Sequence, residues 1–364
     1  MRISGNVLRY YLRTLVPSIL IRKECFGIWT SASEAPSGRS EKKGVRMIQS
    51  RRSVLAVPGN SERMIGKALD FQVDQLFLDL EDAVAPESKA QARTLVSSTL
   101  NARFAKERVF TSKIVSVRIN GLGTSWIEED INLLADGAAR GVDTVIFPKA
   151  SSSHDLLWLD NEISRIEKSC GMTHGSIKVD AQIESTKGLI NVAAIAESSR
   201  VVSLAFGPAD FMADIGMPSS SVENQPEGYE IADIFHYPMM KILVAARSTG
   251  IAAIDGPTLE VHDLDKFRAS ARRAWALGFD GKWILHPSQI EPCHAVFTPS
   301  QEQFDSARCL LEAYEFYTSA EGGGRGAVIY EGAMIDEASR KMALTIAARG
   351  EAAGLVQRKH FVKS

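Results

Sequence analysis

The sequence predicts an α/β fold, a (β/α)8 TIM barrel with a small C-terminal α/β lid, on three observations. First, a short apolar run followed by a longer amphipathic stretch recurs eight times between residues 54 and 287. Second, strand-like runs alternating with helix-like ones must lie parallel, because only a helical crossover brings the chain back to start a parallel neighbour. Third, VLAVPGNSER (54–63) lacks the GxGxxG loop that an open, doubly wound nucleotide-binding sheet carries after its first strand. Eight units in that span match a closed barrel, typically ~250 residues long.

In chain order, residues 1–23 hold Arg2, Arg9, Arg13, Arg22 and Lys23 among apolar residues and contain no acid. Arg9 and Arg13 interrupt any secretory apolar core, which leaves the pattern of a mitochondrial transit peptide. Residues 24–46 are Ser-, Gly- and Lys-rich and suit a cleavable linker. The expected location is therefore the mitochondrial matrix. The expected catalytic barrel covers 51–298, and 299–364 form a C-terminal helix and lid.

The strand-like runs are VLAVPGN (54–60), QLFLDLED (75–82), IVSVRIN (114–120), TVIFPK (144–149), VDAQIE (179–184), SLAFGPAD (203–210), IAAIDGP (251–257) and KWILHP (282–287). Stretches such as SERMIGKALDF, SKAQARTLVSSTL and DKFRASARRAWALG follow, with apolar residues at three- and four-residue spacing. Past the barrel, PSQEQFDSARCLLEAYEFY reads as a helix. EGGGRG then forms a hinge, AVIYEGAMID a strand and the remainder a last helix.

Bulk composition excludes several classes. The chain is 45% hydrophobic and 24% charged with a net charge of −2, so no global electrostatic argument favours nucleic acid. No apolar run reaches the length of a membrane span. Four cysteines at 25, 170, 293 and 309 form no CxxC pair and suggest reduced thiols, not a disulfide framework or zinc site.

In a barrel all strands aim their C-terminal ends at one mouth, where active sites are built. Those ends carry Asn60, Glu81 and Asp82, Arg118 and Asn120, Lys149, Glu184, Asp210, Asp255 and His286. Carboxylates without a Cys or His cluster favour a hard cation such as Mg²⁺, with Mn²⁺ as a substitute. Arg118 and Lys149 opposite them suit an anionic 2-oxo acid, and a polarised carbonyl beside an arginine supports aldol-type C–C chemistry. A Lys149 Schiff base is the alternative, but nothing marks that amine as desolvated.

RRSVLAVPGNSERMIGKA, FLDLEDAVAPESKAQAR, VRINGLGT, QIESTKGLINVAAIA, SLAFGPADF, AIDGP, ARRAWALGFDGKWILHPSQIE and GRGAVIYEGAMIDEA closely resemble, in order, the HpcH/HpaI aldolase family, citrate lyase beta-subunit-like branch. The resemblance runs from about residue 51 to 354. Within the branch it is nearest to the malyl-CoA/β-methylmalyl-CoA lyases, with mitochondrial citramalyl-CoA lyase also similar. It implies Glu184 and Asp210 as Mg²⁺ ligands, and Arg118 beside the substrate oxygens as a catalytic residue. Arg63 and Lys67, and more weakly Arg93, would meet the CoA phosphates, while Leu285 and His286 would line the substrate pocket. Asp336 would be the acid/base residue, on a lid closing over a neighbouring subunit of a homotrimer or hexamer. Glu81 and Asp82 would orient metal-bound waters or Arg118.

The implied activity is reversible cleavage of malyl-CoA or β-methylmalyl-CoA to glyoxylate and acetyl-CoA or propionyl-CoA. Rivals are a citramalyl-CoA lyase giving pyruvate, a malyl-CoA thioesterase, a CoA-independent metal-dependent aldolase and a silent carrier-binding subunit. Two features depart from the pattern: a polar segment, MPSSSVENQPEG (217–228), and Pro238 at an expected helix start. Ala56 stands where the citramalyl-type relative carries an aromatic, which favours the malyl type.

Overall fold

The protein is described by a computed structural model over residues 50–363, apart from 108, 109, 113, 136 and 218–232. The expected transit peptide and linker (1–46), and all but the first residue of the polar segment 217–228, lie outside the described residues. None of the described helices is long and apolar enough to cross a membrane.

Eight parallel strands close into a barrel in sequential order. They are β1 (Ser53–Pro58), β2 (Gln75–Asp79), β3 (Ile114–Arg118), β4 (Thr144–Phe147), β5 (Lys178–Ile183), β6 (Val201–Phe206), β7 (Ala252–Asp255) and β8 (Gly281–Ile284). The helices are α1 (Glu62–Ala68), α2 (Lys89–Phe104), α3 (Ile127–Ala135), α4 (Ser153–Ser169), α5 (Thr186–Ile190), α6 (Val192–Ala196), α7 (Pro208–Ile215), α8 (His236–Thr249), α9 (Leu264–Leu277), α10 (Ile290–Phe297), α11 (Gln301–Thr318) and α12 (Glu337–Ala352). Pro238 falls inside the first turn of α8. There its missing N–H has no intrahelical acceptor to lose, so the helix starts normally.

Strand alternation sorts the side chains. Leu76, Leu78, Val115, Val117, Val145, Phe147, Ala181 and Ile183 face the helices in one large core. Val54, Phe77, Ile146, Ala205, Ile254 and Trp283 form a separate small cluster inside the barrel. Below that apolar layer the strand starts meet in a polar plug. Asp180 accepts from Arg51 (2.6 Å), Ser203 (2.6 Å), Gln75 (2.7 Å) and Thr144 (2.7 Å). All five side chains are buried, and a buried charge is tolerated because its oxygens are fully hydrogen-bonded.

The C-terminal segment corrects one expectation. AVIYEGAMID is not one strand but an antiparallel hairpin, β9 (Val328–Tyr330) and β10 (Ala333–Ile335). Glu331 and Gly332 between them both have positive φ (48° and 80°), the geometry of a tight two-residue turn. The hairpin leads into α12, with Asp336 as its N-cap. Residues 355–363 then run back along α11. Glu312 there accepts from the Phe361 amide (2.7 Å) and from Gln357 (3.0 Å), and Asp305 accepts from the Arg358 amide (2.8 Å). The Phe361 ring packs 5.7 Å from both Phe316 and Tyr330, tying hairpin, α11 and tail together.

At the closed end of the barrel, Asp74 is clamped by Arg52 through Nε (2.8 Å), Nη2 (2.9 Å) and the backbone amide (2.9 Å), with Ser50 donating as well. Burial opposes the charge, but these bonds win and hold the Asp74 pKa down at about 2. A carboxylate depressed on folding contributes stability above its unfolded pKa and loses it as pH falls toward the folded one. The clamp therefore contributes about 2 kcal/mol at neutral pH, lost between about pH 4 and pH 2. Asp74→Asn should remove that acid-limb dependence in urea unfolding followed from pH 6 to pH 2. An unchanged pH slope would refute the assignment.

Candidate active site

The run LFLDLED ends in acids because two of them enter the barrel mouth. Strand alternation puts Phe77, Asp79 and Glu81 on the inner side, and Leu78 and Leu80 against the helices. Arg118, paired with Asp79 in register, binds it bidentately through Nε (2.7 Å) and Nη2 (2.6 Å). Its Nη1 lies 3.0 Å from Glu81 and 3.9 Å from Asp82. The guanidinium stands over the rings of Trp283 (5.4 Å) and Phe77 (5.7 Å). Burial works against its charge, but Asp79, then Glu81 and Asp82, raise its pKa further above the usual arginine range.

Lys149 joins the two halves of the mouth. It is a non-glycine residue at φ 52°, and its amide donates to Glu184 at 2.7 Å. Its ammonium donates to Glu81 at 2.9 Å and lies 3.8 Å from Asp210. Burial is outweighed by Glu81, so the amine is held protonated. That is the opposite of what a Schiff-base nucleophile needs.

Glu184 is 2% exposed and also accepts from Gln182. Gly207 makes room for it, since a Cβ there would lie 2.4 Å from the Glu184 carboxylate. Burial, then the charges of Glu81 and Asp210, push the Glu184 pKa well above the usual carboxylate range, against the Lys149 amide and Arg118. Asp210, in the first turn of α7, is half-exposed. Around the mouth, five carboxylates (Asp79, Glu81, Asp82, Glu184, Asp210) face two cations (Arg118, Lys149).

Among the described residues no group of three or more His, Cys, Asp or Glu is arranged to hold a metal ion. Glu184 and Asp210 are a pair of hard oxygen donors in a site short of positive charge. This fits an ion such as Mg²⁺, which takes one or two carboxylates and fills its other positions with water and substrate oxygens.

Residues 52–287 match the model of the HpcH/HpaI aldolase/citrate lyase family. The chain belongs to that family. It is 35% identical over 303 residues to an L-malyl-CoA/beta-methylmalyl-CoA lyase of Cereibacter sphaeroides, covering 81% of this chain and 92% of the relative. It is 33% identical over 311 residues to the citrate lyase beta subunit of Escherichia coli, covering 85% and 96%. A crystal structure of the Mycobacterium tuberculosis protein CitE, in complex with magnesium, acetoacetate and coenzyme A, is 29% identical with a TM-score of 0.63, covering 83% of this chain and 98% of that one. By family the protein is a lyase with a (β/α)8 barrel.

Within this family member, the structure separates the residues expected at the site. Arg118, Glu81, Lys149, Glu184 and Asp210 converge. Arg63 and Lys67 stand exposed one turn apart on α1. Leu285 and His286 follow β8; His286 is half-buried, bonded to Ser288 (2.8 Å), with its ring 5.2 Å from that of His262. Asp336 caps α12, its Oδ1 accepting from the Ser339 amide (2.9 Å) and hydroxyl (3.0 Å). Those bonds lower its pKa.

Three expectations are corrected. Arg93 is not a free cation for phosphates: it is bound to Asp130 (2.7 Å), Glu129 and the Trp126 carbonyl (3.2 Å) between α2 and α3. Asp255 is not in the mouth, because Ile254 occupies the inner position and Asp255 turns outward to pair with buried Lys282 at 2.7 Å. Asn120 likewise serves the scaffold, donating to the Leu80 carbonyl and Asp130. Asp79 is one of the three acids that crowd the end of LFLDLED, whereas Gln182 and Gly207 are not singled out from the sequence. Two-residue spacing from Glu184 is the signal that finds Gln182.

Breaking a buried pair leaves an unpaired charge, typically at a cost of 3–5 kcal/mol. Asp79→Asn should therefore destabilise the chain by about 3 kcal/mol in urea unfolding. Glu81→Gln should cost less than about 1 kcal/mol, because burial raises the Glu81 pKa and the fold already disfavours that charge. Equal costs would refute this division of labour.

Proposed function

We propose that the protein is a Mg²⁺-dependent acyl-CoA carbon–carbon lyase that reversibly splits malyl-CoA or β-methylmalyl-CoA into glyoxylate and acetyl-CoA or propionyl-CoA. The observation that carries this reading is the mouth. A buried glutamate, a half-exposed aspartate and a doubly anchored arginine converge there, in a chain 35% identical to a malyl-CoA/beta-methylmalyl-CoA lyase.

Glu184 and Asp210 would hold Mg²⁺, which when bound polarises the carbonyl of the oxo acid. Arg118 stabilises the negative charge that develops on that oxygen. Asp79 and the two rings below fix the guanidinium, so it need not reorganise during the reaction. Lys149 balances Glu81 beside it.

In condensation, Asp336 takes a proton from the acyl carbon of the thioester. The carbanionic carbon attacks the glyoxylate carbonyl, forming the C–C bond as the carbonyl π pair moves to oxygen, and the alkoxide takes a proton from solvent while Asp336 releases its own. In cleavage the hydroxyl proton passes to solvent, the oxygen pair re-forms the carbonyl as the C–C bond breaks, and Asp336 relays a proton taken up from solvent to the acyl carbon. The capping bonds keep Asp336 ionised, the form that abstracts. Arg63 and Lys67 meet the CoA phosphates as exposed cations.

The assembly is a homotrimer or hexamer in which the C-terminal unit of one subunit closes over the mouth of another. The acid-free, arginine-rich start of the chain supports delivery to the mitochondrial matrix.

The test is product analysis of the chain from Arg51 onward with Mg²⁺ and malyl-CoA, β-methylmalyl-CoA or citramalyl-CoA. Glyoxylate with acyl-CoA supports the reading. Pyruvate with acetyl-CoA makes it a citramalyl-type lyase, and free hydroxy acid with CoA a thioesterase. EDTA should abolish turnover and excess Mg²⁺ restore it. Asp336→Asn should lower kcat by about 10²–10⁴-fold. Mixing Asp336→Asn subunits with Glu184→Gln subunits should recover activity if sites are shared between copies, and no recovery would place Asp336 over its own barrel.

A further inference from the structure

Behind the mouth lies a buried lysine that the reaction above does not use. Lys89 is 4% exposed. Its Nζ donates to the backbone carbonyls of Leu80 (2.8 Å) and Glu81 (3.1 Å) and stands 4.7 Å over the Trp126 ring. Among the described residues it makes no ion pair. It is also the first residue of α2.

Both placements are unfavourable for a cation. Burial lowers its pKa, with Asp130, Asp79, Glu81 and Asp82 opposing from a distance, and a helix N-terminus repels positive charge. A neutral donor would satisfy the same carbonyls without either cost.

The surroundings say what the charge is placed for. The Leu80 carbonyl takes a second bond from Asn120 (3.0 Å), and Asn120 is fixed by Asp130, which Arg93 holds. Arg93 also binds the Trp126 carbonyl and so anchors the ring beneath Lys89. The whole arrangement grips residues 80–81 from behind. In front, Asp79 accepts from the amides of Glu81 (2.9 Å) and Ala83 (3.2 Å), shaping the turn that aims Glu81 between Arg118 and Lys149.

We propose that Lys89 is a positioning residue for the lyase reaction, holding the 80–82 turn so that the Glu81 carboxylate bridges Arg118 and Lys149. The proposal rests on the function proposed above for its kinetic consequence, but its structural half is readable without turnover.

The experiment compares wild type, Lys89→Met, Glu81→Gln and the double variant as full chains. In hydrogen exchange, Lys89→Met should speed the amides of Glu81 and Ala83 by about tenfold while the barrel strands stay protected. In thioester cleavage it should lower kcat by about tenfold with KM within about threefold of wild type, the pattern of a lost transition-state contact. Since Lys89 acts through Glu81, Lys89→Met should slow the Glu81→Gln background by less than about twofold.

Unchanged exchange at 81 and 83, or kinetic losses that simply add, would overturn the proposal. If Lys89→Met fails to fold, Lys89→Ala, which also removes the donor, takes its place. Failure of both to fold would assign Lys89 to the scaffold and overturn its positioning role. If wild type cleaves none of the thioesters, the functional reading fails and the exchange result alone decides Lys89.

Discussion

An arginine pointing into a barrel must be paired before it can be useful, and Arg118 with Asp79 is that pair. The two bonds, 2.7 and 2.6 Å long, use both carboxylate oxygens and one edge of the guanidinium. This leaves Nη1 free to face Glu81 and the open mouth. Phe77 and Trp283 close the space beneath, so the cation has an aromatic floor on one side and carboxylates on the other. With Arg118 committed to Asp79, Lys149 must serve both Glu81 and Asp210. The pair uses up one acid and leaves the others in excess, and that excess makes the mouth receptive to a hard cation.

Much of this was legible in the sequence because the barrel imposes a period of two on its strands. The eight apolar runs became eight strands, and of the charged residues at their ends Glu81, Asp82, Arg118, Lys149, Glu184 and Asp210 meet at the mouth while Asp255 does not. The same period carries more than the list of end residues uses. Asp79 and Glu81 share a face, as do Asp180, Gln182 and Glu184. Ile254 on the inner face sends Asp255 outward. What the sequence could not reveal was non-local. Arg93 is neutralised by Asp130, 37 positions away, through the packing of two helices whose contact no local pattern encodes. The C-terminal hairpin was hidden differently, since its two three-residue strands merge into one apolar run unless Glu331-Gly332 is taken as a turn.

The two ends of the barrel divide its tasks. At the strand starts Asp180 is saturated by four donors, and Asp74 is locked by Arg52. Both carboxylates are occupied by donors from the chain itself. At the mouth the acids outnumber their partners, and Glu184 is held in an environment that resists its charge. The C-terminal unit follows the same economy. Asp336 spends one oxygen on capping its helix, while the tail and the Phe361 ring fix the hairpin to α11.

Lys149 carries a consequence for how such a protein changes under selection. Its left-handed backbone, at φ 52°, is strained for a lysine and natural for glycine or asparagine. Either replacement would relax the chain, yet it would remove the ammonium that reaches Glu81 and Asp210. On the function proposed above, a substitution that relieves the backbone at this position is thus one that unbalances the mouth. On that reading, a lineage adapting to high temperature keeps this strain and finds its stability elsewhere.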